Sequence, residues 1–399
     1  MIRKVIAIAI FTLTIVAVVG YPKLYAGNAG AILTQTTNQT VTEQSRPVVD
    51  VVFVLDTTGS MSGLIQAAKD KIWSIASTMA SAQPVPELRI GLVAYRDRGD
   101  AYVTHRVDLS DDLDSVYAAL MDFQAGGGGD TPESVNRALY EAVHDMSWSE
   151  KEQAYQVIFL VGDAPPHMDY NEMQYPAIVA AANERGIVIN TIQCGDLPTT
   201  IGPWTAIANL GQGSFFQVEQ NGNAVAFESP YDAEIAKLSA KLDATRLYYG
   251  SAEEREQMEV KLAATEKLAA SAPVASLARR GVFNVGEGGR TNLLGEKELV
   301  EAVATGEVAL ADIDADALPE ALKPMAAEEQ AEFVQELAEE RADLKRQIQD
   351  LARERDEFMA QKVEEAGGLE DSLDKRLYDV VKKQAGKVGF VYADDAPAY

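Results

Sequence analysis

Residues 48–249 predict an α/β fold built on a doubly wound, mostly parallel sheet, and three observations carry that prediction. Short apolar, β-branched runs alternate with stretches of helical spacing along the whole segment. The first run, VVDVVFVL at 48–55, is apolar almost without interruption, as a central strand covered on both faces requires. Asp56 and Asp163 each stand just past such a run, at the carboxyl edge where open α/β sheets of this Rossmann-like kind bind ligands.

Taken in order, the strands are expected at 48–55, 88–95, 102–109, 155–161, 187–193 and 214–218. Helical patterns fall between them at 64–82, 113–123, 132–146, 175–185 and 232–248. After residue 249 the composition changes and the chain becomes mainly helical. Residues 250–327 form a mixed region that opens with a charged, Ala-rich stretch, and 328–366 read as a coiled-coil-like helix. There Leu337, Leu344, Leu351 and Phe358 recur every seventh residue, with Val334, Arg341, Ile348 and Arg355 at the other seam position. The two arginines weaken that seam. The spacing fits either an intramolecular helical hairpin or a homo-oligomer contact through the 334–358 heptads. A C-terminal helix and tail occupy 367–399.

The formal net charge of −26 excludes a nucleic-acid backbone as partner, and the 47% hydrophobic content fits a globular chain. Cys194 is the sole cysteine, so neither a disulfide framework nor a four-cysteine zinc site can form within the chain. Arg3 and Lys4 precede an apolar run at 5–20, and small residues follow it. Residues 1–26 thus have the layout of a secretory signal, with cleavage after Ala26 or after Ala31, and an uncleaved membrane anchor through 5–20 is the alternative. Either arrangement exports the rest of the chain to a periplasmic or extracellular location. Residues 27–47 are a polar linker.

Three loops at one end of the expected sheet are rich in oxygen donors: Asp56-Thr57-Thr58-Gly59-Ser60, GGGGDTPE at 126–133, and GDAPPH at 162–167. Two carboxylates and three hydroxyls with room for water suit Mg²⁺ or Mn²⁺. So few carboxylates leave the ion electrophilic enough to attract one more from outside. The DxTxS loop, the threonine at 131 and the aspartate at 163, together with AYRD, resemble the metal-ion-dependent adhesion site of von Willebrand factor type A domains, in a bacterial, secreted branch of that family.

The resemblance covers roughly half of the chain and implies Asp56, Thr58, Ser60, Thr131 and Asp163 as ligands of Mg²⁺, or of Mn²⁺ or Ca²⁺. It also implies a protein partner whose Asp or Glu completes the coordination, no enzymatic activity, and coupling of the site to the last helix of the domain. Thr58 stands where serine is commoner. Asp97, Asp130 and His167 are candidates for supporting hydrogen bonds, and Asp130 is better read as a cap of the helix opened by Pro132.

VVFVLDTTGS with LVGDAPPHMD also resembles phosphotransferases of the haloacid-dehalogenase type. In that alternative Asp56 is the nucleophile, Asp163 and Asp169 hold Mg²⁺, and Lys151 is the only lysine available to the site. A third reading is a scaffold in which the metal is purely structural. Two other patterns fail: Ala317 and Lys323 break the calcium loop that Asp312 opens, and 286–292 lacks the Gly-Lys-Ser/Thr ending of a phosphate loop. Arg98-Gly99-Asp100 reads as a chance match to an adhesion tripeptide.

Overall fold

Six strands form the sheet: β1 (Val48–Asp56), β2 (Glu87–Tyr95), β3 (Thr104–Ser110), β4 (Ala154–Gly162), β5 (Val188–Cys194) and β6 (Gln212–Val218). Their order is β3-β2-β1-β4-β5-β6, and only β3 runs antiparallel, against β2. The computed structural model describes residues 46–129, 131–220, 227–365 and 373–393, and the chain from Arg46 onward is one compact unit. The signal or anchor expected at 1–26, all but the end of the linker at 27–47, and Asp130 lie outside the described residues. Among those described, no helix is long and apolar enough to cross a membrane.

β1 is the hinge of the topology. It pairs in parallel with β2 on one side and β4 on the other, so the winding reverses across it. Its alternate residues feed two cores. Val49, Val51, Phe53 and Leu55 pack with Trp73 of α1 (Ser62–Ala80) and Tyr117 of α2 (Leu113–Asp122). Val52 and Val54 pack with α3 (Val135–His144), α4 (Tyr175–Glu184) and α5 (Pro198–Leu210). A strand buried on both faces needs this near-continuous apolar sequence.

Two elements depart from expectation. Helix α5 is additional: Pro198, Gly202 and Pro203 mask it in sequence, although Pro198 in its first turn forfeits no intrahelical bond, and Trp204 and Ile207 bury its inner face. Helix α3 begins at Val135 rather than at Pro132. The preceding backbone is taken by its neighbours, with Glu133 N donating to Pro165 O at 3.0 Å and Ser134 N to Arg96 O at 3.2 Å.

The second half packs against the α1 and α2 side. Following α6 (Asp232–Ala244), the last helix of the first half, it comprises α7 (Ala252–Ser271), α8 (Val274–Val285), α9 (Arg290–Leu294), α10 (Leu299–Ala304), α11 (Ala327–Glu365) and α12 (Leu373–Ala385). α11 carries the heptads. Its buried stripe is Val334, Arg341, Leu344, Ile348, Ala352, Arg355 and Met359, and it lies against α6, α8 and α10 of the same chain. The arginines that weakened the coiled-coil pattern are its anchors. Arg341 donates to both carboxylate oxygens of Glu298 at 2.7 and 2.8 Å and to Thr245 O at 2.8 Å, and Arg355 Nε donates to Asp232 Oδ1 at 2.8 Å. The stripe, whose spacing fits either a helical hairpin or an oligomer contact, is used inside the chain.

A second buried polar cluster joins the two halves. Arg280 of α8 donates to Asp114 of α2 at 2.6 and 2.5 Å and to Asp243 of α6 at 2.7 Å. Thr265 of α7 and Asn292 of α9 also donate to Asp114, at 2.9 and 3.3 Å. Burial acts to raise the Asp114 carboxyl, but the Arg280 guanidinium, with Lys261 and these donors, holds it well below the usual carboxylate range. A depressed folded-state value stabilises the protein above about pH 4, where an unfolded Asp titrates, and that stabilisation is lost as pH falls further. We predict that Asp114→Asn lowers stability in urea by about 3 kcal/mol at pH 7, because Arg280 loses its partner, and flattens the fall in stability below about pH 4. An acid limb as steep as that of the wild type contradicts this account.

Candidate metal centre

The first loop folds around the Asp56 carboxylate. Thr58 donates to Asp56 Oδ1 twice, from its backbone N at 2.8 Å and from Oγ1 at 2.6 Å, which closes a tight turn of the kind short acidic side chains favour. Thr58 Oγ1 lies 3.3 Å from Ser60 Oγ, so the three side chains of the DxTxS pattern form one connected set. Thr57 points the other way. Its N and Oγ1 both donate to Tyr95 O at 2.9 Å, locking the loop to the end of β2.

The glycine loop then closes over the first. Gly59 N donates to Gly127 O at 3.2 Å, and Gly126 N to Thr57 O at 3.1 Å. Arg96 reinforces this by donating to Thr57 O at 3.1 Å and to Gln124 O at 2.7 Å. Gly128 has φ +74°, and a Cβ there would stand 2.8 Å from Thr58 Cβ, so both the turn and the close approach require glycine. The third loop joins through Glu133, whose N donates to Pro165 O and whose O accepts from His167 N, each at 3.0 Å.

The predicted site residues thus belong to three loops stitched edge to edge. Asp56 and Thr58 are buried, Asp163 is half-buried, and Ser60 and Thr131 are at the exposed rim. Asp163 follows Gly162, where a Cβ would lie 2.4 Å from the Tyr95 hydroxyl oxygen and 2.9 Å from Asp56 Cβ. The absence of a side chain at 162 is what allows the ends of β1, β2 and β4 to meet. Thr200 Oγ1 fixes the Asp163 backbone by donating to its O at 2.7 Å.

Electrostatically the site is acidic and incompletely satisfied. Asp56 Oδ2, the Tyr95 hydroxyl and Glu133 Oε2 are buried and have no hydrogen-bond partner among the described residues. Burial pushes the Asp56 carboxyl up to about 7, opposed by the Thr58 hydrogen bonds and helped by the negative charge of Asp163. Burial, then Asp56, Asp97, Asp100 and Asp163, push Glu133 up to about 9. Oxygen donors gathered around acids that burial and mutual repulsion hold protonated fit a hard divalent cation, which would take the place of those protons. Among the described residues no three His, Cys, Asp or Glu side chains converge as a complete ligand set, so the hydroxyls and water must supply the remainder.

The surrounding residues divide clearly. Asp97 is a hub, accepting from Ser134 Oγ at 2.7 Å and Tyr170 OH at 2.8 Å, with His167 Nε2 3.4 Å away. His167 stacks on Tyr170 at 3.8 Å and its Nδ1 meets Asp169 Oδ1 at 2.7 Å, and Arg98 covers the other face of Tyr170 at 3.8 Å. The Arg98-Gly99-Asp100 tripeptide is spent internally, since Asp100 accepts from Asp97 N at 3.2 Å and Gly128 N at 3.1 Å.

Sequence reasoning missed Glu133, Asp100 and Gln220. The last, just past the carboxyl end of β6, donates from Nε2 to Asp163 Oδ2 at 2.7 Å. Only Glu133 carried a sequence signal, its place directly after the Asp-Thr-Pro run. Lys151 does not reach the site. It pairs with Glu87 at 2.7 Å at the amino end of the sheet, and β1 is nine residues long, about 30 Å at roughly 3.3 Å per residue. The phosphotransferase alternative has lost its lysine, and Asp169 is engaged with His167.

We predict that Gly162→Ala, which drives a methyl group into Tyr95 and Asp56, lowers stability by about 1–3 kcal/mol in urea denaturation. An unchanged midpoint would mean that the strand ends do not meet as described.

Residues 50–203 match the family model described as von Willebrand factor A domain. Over 130 residues the chain is 26% identical to an ariadne-like RING finger protein of Acanthamoeba polyphaga mimivirus, which covers 32% of this chain and 12% of that protein. Over 134 residues it is 27% identical to the alpha-protein kinase vwkA of Dictyostelium discoideum, with 32% and 21% covered. The chain therefore spans about a fifth or less of the length of these curated relatives. Among solved structures, proximal thread matrix protein 1 of the mussel byssus, with a zinc-occupied MIDAS motif, aligns at 17% identity and a TM-score of 0.34 over 45% of this chain and 43% of that one. The VWA domain of SpRpn10 aligns at 16% identity and a TM-score of 0.34 over 45% and 91%. By this match, residues 50–203 are similar to a von Willebrand factor A domain.

Proposed function

We propose that this domain is a divalent-cation-dependent protein-binding module, with Asp56, Thr58, Ser60, Thr131 and Asp163 holding Mg²⁺, or Mn²⁺ or Ca²⁺. The ion supplies an electrophilic centre to which an Asp or Glu of a partner protein adds. The observation that carries this reading is Asp56 Oδ2, fully buried at the topological switch point, without a hydrogen-bond partner among the described residues, and facing the charge of Asp163. A buried carboxylate with a free oxygen calls for a cation. The second loop adds the Thr131 hydroxyl and the third the Asp163 carboxylate, and neither carries a lysine or arginine.

A protein ligand, rather than a small ion, fits the surroundings. Met168, Met173 and Leu197 are exposed on loops, and Ile201 in the first turn of α5, near Asp163, and apolar rims of this kind mark protein contacts. The module acts outside the cytoplasm if residues 1–26 export the chain as their layout suggests. Residues 250–399 serve as a helical support for the domain, since α6 is clamped by Arg280 and Arg355.

The test is a calorimetric titration of the full chain with Mg²⁺ and Mn²⁺, alongside a metal-dependent pull-down. The expected result is saturable binding of one ion, weakened at least tenfold in Asp163→Ala, and a partner that chelation releases. If EDTA lowers the melting temperature while partner binding survives, the ion is structural and the proposal fails.

A further inference from the structure

We propose that Gln220 is a positioning residue of the metal site, holding the Asp163 carboxylate through Oδ2 so that Oδ1 is presented to the ion. The inference rests on the cation reading above and concerns a side chain outside the three loops that carry the ligands. Gln220 stands two residues past β6. Its Nε2 donates to Asp163 Oδ2 at 2.7 Å and to Ser60 O at 3.3 Å, with Met61 Sδ 3.7 Å away. One amide group thus joins the end of β6 to the first and third loops. Among the described residues no other side chain donates to the Asp163 carboxylate.

Gln220 is exposed, yet its side chain is confined. Gly195, just past β5, is tied to β6 on both sides, its N donating to Val218 O at 2.9 Å and its O accepting from Gln217 Nε2 at 2.8 Å. A Cβ on Gly195 would collide with Gln220 Oε1, so the missing side chain there gives the amide its place. Thr200 Oγ1 already fixes the Asp163 backbone by donating to its O at 2.7 Å. What remains free is the carboxylate rotamer, and Gln220 sets it. An amide donates without bringing charge, whereas a lysine here would satisfy the same oxygen and repel the ion. Hydrogen-bond partners of ligating carboxylates orient them, and their loss weakens metal binding by about 10–100-fold.

The experiment is a calorimetric titration of the full chain with Mn²⁺ for wild type, Gln220→Ala and Gln220→Met, with melting temperatures measured without metal. Methionine keeps the length of the side chain and loses the donor. Both variants should bind the ion about tenfold more weakly than wild type and melt at an unchanged temperature, as an exposed side chain permits. In wild type the Gln220 side-chain amide signal, assigned in NMR spectra by its loss in Gln220→Ala, should shift as Mg²⁺ is added. Three results overturn the role of Gln220 and leave the cation reading intact: affinity of Gln220→Met within twofold of wild type, tighter binding by Gln220→Ala, or an amide signal unmoved by saturating Mg²⁺. A wild type that binds no Mn²⁺ overturns the cation reading as well.

Discussion

The burial of acidic groups at the carboxyl ends of β1 and β4 is the constraint on which the rest of the site depends. Asp56 is fully buried because β1 is the central strand, and it cannot move toward water without pulling β1 from β2 and β4. Gly162 and the glycine loop bring Asp163 and Glu133 to the same place by removing side chains that would hold the loops apart. A sheet whose winding reverses at β1 leaves a crevice there, and this chain fills it with oxygen donors. Crowding acids in such a crevice works against their ionisation, which is why the Asp56 and Glu133 carboxyls are pushed up.

The second half of the chain buries charges of its own, but in pairs. Buried pairs at Arg280 with Asp114 and Asp243, and at Arg341 with Glu298, tie helices distant in sequence into one unit. Such pairs bring little net stability over apolar packing but strongly penalise any arrangement that separates them. α6 is held by Arg280 through Asp243 and by Arg355 through Asp232. Movement of this helix, which the family resemblance implies, must therefore break or carry along a buried ion pair, and the helical half is the element that resists or follows it.

Much of this was legible in sequence, for reasons tied to particular residues. β1 announced itself because a strand buried on both faces cannot alternate, and Asp56 stood out as the acid that ends it. The three loops could be assigned to one edge because parallel strands place all their carboxyl ends together. Helix α5 was hidden because Pro198, Gly202 and Pro203 read as breakers, while Trp204 and Ile207 decide the packing. The arginines of α11 were misread because spacing reports which residues share a face and says nothing of the carboxylates, Glu298 and Asp232, that wait opposite. Glu133, Asp100 and Gln220 escaped for a similar reason: their roles come from loop closure, which brings together residues with no periodic relation.

The central claim is that the three loops share one cation. Anomalous diffraction from crystals of the full chain soaked in Mn²⁺ tests it most directly. The account predicts a single strong peak among Asp56, Ser60 and Asp163. A peak elsewhere, or none under conditions where calorimetry shows binding, would contradict it.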